Sequence, residues 1–376
     1  MALMEHPTAL SQTPAANRRS RILDRLARPI VDAVLPRIDS RIPESTRPFG
    51  APEMMRPHAG SRRWAWTHYG VFLPELPGPH RYLNTMTLIG ATGALAFDND
   101  YLAADDARDT ATVLSSTAAD GHHHYRAYDT GRDCSFADDG SRLDWGRDLS
   151  ITGAYPHFHV RGHYDNFDVS LDVQATEQVS WFVRTPVYDH LSLFATATGT
   201  LTDKTGSVAI DQTLCTFEYA RCMSPQALAA QALSTRRKLP VDFFTYQIVN
   251  LDSSTQVLLT EVRAAGAVAC RLAYVRCLDG TTRVYDDVAM TVLSYQAQPL
   301  VDPRGRTMRV PRQLRWLVRD AAGAEILAFD AEVDSPLRYG HGRGYVGAYT
   351  YRGTWQGRRP VTGSGYLEWI DCEPGQ

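Results

Sequence analysis

The chain lacks most features that announce a function at once. Its six cysteines, Cys134, Cys215, Cys222, Cys270, Cys277 and Cys372, include no Cys-x-x-Cys pair, so they read as free thiols and not as a zinc knuckle. No apolar run is long enough to span a bilayer. The opening "MALMEHPTALSQTPAANRRS" has no continuous apolar core such as a secretory signal needs. With unpaired cysteines, this gives the expectation of a cytoplasmic protein. Lys and Arg number 39 against 42 Asp and Glu, so there is no basic surplus to neutralise phosphates, and nucleic acid is not expected as a partner. There is no phosphate-binding Walker loop, no dinucleotide fingerprint and no His-Glu-x-x-His, so no cofactor and no resident metal are expected.

Helical periodicity is also scarce. It shows in "RRSRILDRLARPIVDAVLPRID" (18–39), where Ile22, Leu23, Leu26, Ile30, Val31, Val34 and Leu35 recur at helical spacing around a kinking Pro29. Arg18, Arg19, Arg21, Arg25 and Arg28 on this segment fit either peripheral contact with an anionic membrane or packing on the protein's own surface. The second place is "SPQALAAQALSTRRKLP" (224–240). Here Ser224 can cap, Pro225 suits a first helical position, and Arg236, Arg237 and Lys238 suit a last turn.

What the chain has in plenty is glycine (27), proline (21) and tyrosine (18), a turn-and-strand composition. At 376 residues it is long enough for two domains. Period-two runs begin at "WAWTHYGVF", continue through "HFHVRGHYDNFDVSLDVQA" and "TFEYARC", resume at "DFFTYQIVNL" and end in "GYLEWIDC". Glu218 in "TFEYA" and Glu368 in "YLEWI" sit in matching contexts at the ends of the two halves. The expected fold is all-β: two tandem lipocalin-like antiparallel barrels at 60–223 and 241–376. A helix and linker at 1–59 precede them, and a connecting helix at 224–240 joins them.

The stretches "WAWTHYGVF…RYLNTMTL" and "AYTYRGTWQGRRPVTGSGYLEW" resemble the opening and closing motifs of the carotenoid 1,2-hydratase, kievitone hydratase and tocopherol cyclase-like superfamily, and within it a bacterial branch. That resemblance implies tandem lipocalin-like (calycin) barrels and a hydrophobic substrate. The hydratases' Asp-His-x-Trp-Gly motif has no full counterpart here. "TFEYARC" stands at that place, with Glu218 near the acidic position and neither the histidine nor the tryptophan.

Glu218 is the leading candidate, because a carboxyl desolvated in an apolar barrel holds its proton to higher pH and can deliver it to an alkene or carbonyl. In "PVYDHLSLF", Tyr188 and His190 share one strand face while Asp189 takes the other, which rules out a Ser-His-Asp relay on this strand. Tyr188, His190 and Tyr246 would orient the substrate, and Trp66, Trp181, Phe244 and Tyr349 would line its cavity. Glu368, close behind Gly363 and Gly365, reads as architecture at barrel closure. The histidines of "HFHVRGHYD" read as a solvent-facing stripe, and "GHHHYRAYD" as a loop between turns. The expected function is binding of a terpenoid, polyene or acyl-like molecule in a barrel cavity. Cofactor-free hydration, isomerisation or cyclisation by acid–base catalysis would follow, and a non-catalytic carrier or sensor is the alternative.

Overall fold

The computed structural model describes residues 27–98 and 101–373. Two antiparallel sheets dominate it. The first holds β1 (Trp66–Leu73), β2 (Leu83–Gly90), β3 (Thr110–Ser116), β4 (His123–Asp129), β5 (Cys134–Phe136), β6 (Arg142–Trp145), β7 (Leu149–Ala154), β8 (His157–His163), β9 (Phe167–Arg184), β10 (Tyr188–Asp203) and β11 (Gly206–Cys222). The second is built from β12 (Val241–Asn250), β13 (Thr255–Ala264), β14 (Ala267–Cys277), β15 (Thr282–Tyr285) and β16 (Asp287–Tyr295). After the small ribbon β17 (Leu300–Val301) and β18 (Thr307–Met308), it continues with β19 (Pro311–Arg319), β20 (Glu325–Val333), β21 (Arg338–His341), β22 (Gly344–Trp355) and β23 (Arg359–Asp371).

Both sheets follow one plan. The chain lays down four strands outward, β1 to β4, jumps to the far edge, and returns until its last strand, β11, pairs with its first. In the second sheet β12 to β15 run outward, and the return ends with β23 beside β12. This is a meandering barrel open between its fourth and fifth strands, made twice. It accounts for the matching contexts of Glu218 and Glu368, since each sits on a closing strand that pairs with the opening one. Glu218 lies opposite Gly70, and Glu368 lies opposite Tyr246.

The barrel interiors are filled by side chains. Leu143, Trp145, Phe158, Phe217 and Tyr219 pack in the first, and Trp316, Phe329, Tyr349, Leu367 and Trp369 are buried in the second. Strands at the periphery alternate as a half-buried strand must: in β8, Phe158, Val160 and Gly162 are buried while His157, His159, Arg161 and His163 face solvent. Strands β1 and β12 do not alternate, and β1 is buried along both faces. Their second faces are covered because the two barrels pack on each other there.

Three expectations are corrected. The connection 224–240 is not a helix but two single 3-10 turns, Pro225–Leu228 and Thr235–Arg237. Ser224 does cap, accepting from Gln226 N. The buried Gln226 side chain then captures Ala229 O, Gln231 O and Leu233 N, and Ala230 O is taken by Ala107 N, so tertiary bonds replace the helical ladder. "GHHHYRAYD" is largely strand β4, with His123 Nε2 at 2.6 Å from Tyr339 O. Of the N-terminal segment, residues 18–26 lie outside the described residues. The rest forms short helical turns, Ile30–Val34, Leu35–Ile38 and Arg41–Glu44. Val31 packs on Ala264 and Ala267, and Phe49 packs on Trp181. No helix among the described residues is long and apolar enough to cross a membrane.

Candidate functional site

Strand geometry puts every second residue of β1, β10 and β11 on the outer face of the first barrel. On β1 these are Trp66, His68, Gly70 and Phe72; on β10, Tyr188, His190 and Ser192; on β11, Glu218. Their odd-numbered neighbours Tyr69, Val71, Leu191, Leu193, Phe217 and Tyr219 fill the barrel core. The outer face meets Phe244, Tyr246, Tyr366 and Glu368 of the second barrel. Between them lies a narrow cleft of about 40 Å3, walled mainly by Trp66, Phe72, Met86, Leu88, Phe97 and Phe244. The candidate pocket thus lies between the barrels and not inside one, because the interiors are packed with side chains.

Polar groups converge on this apolar seam. His68 Nδ1 lies 2.7 Å from Thr87 O, a carbonyl that can only accept, so Nδ1 carries the proton and Nε2 keeps its lone pair. That Nε2 is 3.9 Å from Glu218 Oε2, and His190 Nε2 is 3.6 Å from the same oxygen. Glu218 Oε1 and His190 Nε2 find no hydrogen-bond partner among the described residues. Across the cleft, Glu368 Oε1 accepts from Tyr366 Oη at 2.9 Å, and Oε2 stands 3.2 Å from His341 Nε2. The buried Tyr246 hydroxyl lies in the field of Glu218 but makes no hydrogen bond among the described residues. Behind it, fully buried Arg276 donates to Ser192 O at 2.9 Å and to Gln256 Oε1 at 2.5 Å.

The electrostatics follow from burial. Glu368 is pushed well above the usual carboxylate range, first by desolvation and then by the charge of Glu218, with the Tyr366 bond pulling the other way. Burial lowers His68 to about 4 and His341 to about 3, helped by the neighbouring histidines. The Tyr246 phenol is pushed up by burial and then by Glu218, so it keeps its proton. Arg276 is lowered to about 10 by desolvation and remains a cation at neutral pH. The seam thus holds a protonated carboxyl, two uncharged imidazoles and a phenol within apolar walls. Ligand atoms of His68, His190 and Glu218 lie within 4.8 Å of one another and have the donor set of a divalent cation, as do those of His80, His122 and Asp203 on the first barrel's turns.

Of the residues singled out in the sequence, Glu218, Tyr188, His190, Trp66 and Phe244 line this cleft, and Tyr246 lies behind it against Phe72 and Phe182. Trp181 and Tyr349 do not. Trp181 faces the first barrel's interior side, under the guanidinium of Arg184, and Tyr349 packs inside the second barrel near Phe329. Arg184 and Arg221 do not pair with Glu218; both bind Asp189, at 2.9 Å each. Glu368, read as architecture, faces the cleft. Its nearby glycines are architectural: a Cβ on Gly365 would come within 2.6 Å of the Tyr349 ring. His68, His341 and Arg276 escaped the sequence reading. His68 was within reach, since it shares a strand face with Trp66. His341 sits in the short β21 and reaches the cleft only through tertiary packing.

The family model described as a family of unknown function (DUF6670) matches residues 86–376. No curated protein matches by sequence. Among solved structures, an AttH-like protein from Nitrosomonas europaea aligns at 14% identity over 87% of this chain and 98% of its own, with a TM-score of 0.55. CghA, solved with Sch210972, aligns at 12% identity over 90% of this chain and 98% of its own, with a TM-score of 0.52. At such identities the likeness is one of fold: these are related two-barrel structures.

Proposed function

The chain belongs to the DUF6670 family, and from that premise we propose that it binds a hydrophobic small molecule in the seam between its barrels and rearranges it by acid–base catalysis without a cofactor. The observation that carries this reading is the pairing of Glu218 and Glu368 across one apolar cleft, with an imidazole nitrogen beside each. Glu368, kept protonated by burial and by Glu218, is the donor that a double bond or carbonyl oxygen needs. Glu218, with His190 and His68, is the set that takes a proton from an adjoining carbon or from water. This shifts the acid role expected of Glu218 to its counterpart on the second barrel. Tyr246 and Tyr188 orient the ligand, and Trp66, Phe72, Phe97 and Phe244 hold a flat or polyene body.

The reading agrees with the resemblance to hydratases and cyclases of terpenoid and polyketide chains. It also offers an account of the missing Asp-His-x-Trp-Gly motif: the histidines reach Glu218 from neighbouring strands β1 and β10 instead of from its own. Native mass spectrometry of protein isolated from its source, followed by organic extraction, gives the compound that travels with it. That extract is then incubated with wild type, Glu218→Gln and Glu368→Gln. A product differing by one water, or an isomer, formed by wild type alone is the expected result. A compound bound by all three and changed by none would make the protein a carrier or sensor and end the catalytic reading.

A further inference from the structure

Away from the cleft, three turns meet at one end of the first barrel. The β1–β2 turn brings His80, the β3–β4 turn brings His122, and the end of β10 brings Asp203. The side chains of all three are almost wholly out of solvent. His122 Nε2 is 3.1 Å from Asp203 Oδ2, His80 Nε2 is 4.0 Å from the same oxygen, and the three ligand atoms lie within 4.8 Å of one another. We propose that His80, His122 and Asp203 form a binding site for one late first-row divalent transition metal, typified by Zn2+.

The strongest indication is His80. It is 2% exposed, its Nδ1 has no hydrogen-bond partner among the described residues, and its Nε2 faces Asp203 at 4.0 Å, beyond hydrogen-bond reach. An ion held by Nε2 and the carboxylate would bridge that gap. His122 is oriented for the same task. Its Nδ1 lies 3.1 Å from Thr117 Oγ1, which holds the ring with Nε2 toward Asp203; in the tautomer protonated at Nδ1, Nε2 offers its lone pair there. The ring is fixed by stacking on Phe167, with centroids 4.6 Å apart. Asp203 is fixed through its other oxygen, Oδ1, which accepts from Thr205 N at 2.7 Å and from the Thr205 hydroxyl. Two imidazoles and one carboxylate favour Zn2+, Co2+ or Ni2+ over Mg2+ or Ca2+, which prefer oxygen. Arg338 opposes the ion electrostatically from the second barrel, but its Nη2 is engaged by Ala119 O at 2.7 Å.

The ion would pin the corner on which the second barrel rests. Arg81, next to His80, reaches Asp334 at 2.5 Å and Ser364 at 3.1 Å. The test is metal uptake by the full, untagged chain, with Zn2+ counted by elemental analysis and Co2+ followed by its visible spectrum. The expected result is one chelator-removable equivalent, a raised melting temperature, and affinity lowered about tenfold or more in His122→Ala and in the near-isosteric Asp203→Asn. His190→Ala, in the cleft, and His163→Ala, exposed on β8, should keep the site. Absence of a bound equivalent in wild type would overturn the proposal. So would a loss of binding that follows His190 or His163 instead of His122 and Asp203.

Discussion

Glu218 and Glu368 occupy the same place in two copies of one design, yet they keep different company. Each stands on the closing strand of its barrel, opposite the opening strand. Opposite Glu218 is Gly70, which has no side chain, and the free space admits the rings of His68 and Phe72. Opposite Glu368 is Tyr246, whose buried phenol lies in the field of Glu218. Tyr366 donates to Glu368 and His341 Nε2 stands 3.2 Å from it, whereas Glu218 Oε1 has no hydrogen-bond partner among the described residues. A repeated unit has therefore been used asymmetrically: one carboxyl is biased toward its protonated form by burial and the other is left open toward the cleft. The lesson is that equivalent strand positions give no equivalence of role; the residue facing each carboxyl across the ladder decides.

The largest expected effect comes from abolishing either carboxyl. Glu368→Gln and Glu218→Gln should each lower turnover of the co-purifying ligand by about a hundredfold or more. The asymmetry should show in the pH profile. With Glu368 as the proposed acid, wild-type activity should fall as pH rises through its raised pKa. Residual activity in Glu368→Gln should lose that basic limb, while Glu218→Gln should retain it. Identical profiles for both variants would dissolve the distinction.

A smaller effect is expected from filling the space opposite Glu218. A Cβ on Gly70 would stand 2.5 Å from the Phe72 ring and 2.9 Å from His68 Nε2, and Phe72 is buried with little room to yield. Gly70→Ala should cost about 1–3 kcal/mol of stability through overpacking. It should also weaken ligand binding, measured by fluorescence titration, about tenfold, since 1.4 kcal/mol is one decade. Ligand affinity equal to wild type would show that the space opposite Glu218 is not used.

Stability against pH separates the carboxyl from the histidines. In the unfolded chain Glu368 ionises near 4.5, while in the folded chain it holds its proton to a much higher pH. Between those values the folded state binds more protons, so stability declines as pH rises from about 5 upward. Glu368→Gln removes that slope, and its melting temperature should gain on wild type steadily from pH 5 to pH 8. His68 and His341 act in the opposite sense. Unfolded they protonate below 6.5, but folded only near 4 and 3, so the unfolded state binds more protons and stability drops as pH falls below 6.5. A flat melting profile from pH 4 to pH 8 would contradict both.

Much of this was legible in the sequence, for a simple reason. Period-two alternation assigns residues to faces, so Tyr188 and His190 fall together from the sequence alone. Which face is the inside of a barrel and which is the seam cannot be read from parity alone. Both faces of β1 are apolar or aromatic, and the choice depends on a second barrel more than 170 residues away in sequence. Hence Trp181 and Tyr349 were placed at the ligand when they are barrel filling. His341 and Arg276 were missed because their partners come from distant strands. The 224–240 segment failed differently: its local signals were helical, and the side chain of Gln226 overrode them.

The smallest expected effect is the sharpest test of inside against seam. Tyr349 belongs to the interior of the second barrel, over Gly365, and its buried hydroxyl has no hydrogen-bond partner among the described residues. Removing an unsatisfied hydroxyl while keeping the ring relieves a desolvation cost and opens almost no cavity. Tyr349→Phe should therefore leave ligand affinity within about twofold of wild type and hold or raise stability, by up to about 1 kcal/mol. Tyr246→Phe, two strand pairings away in the same barrel but facing the seam, removes a phenol near Glu218 and should lower turnover while sparing the fold. If Tyr349→Phe proved the more damaging to ligand binding, the ligand would lie inside the second barrel, and the seam would be an interface and nothing more.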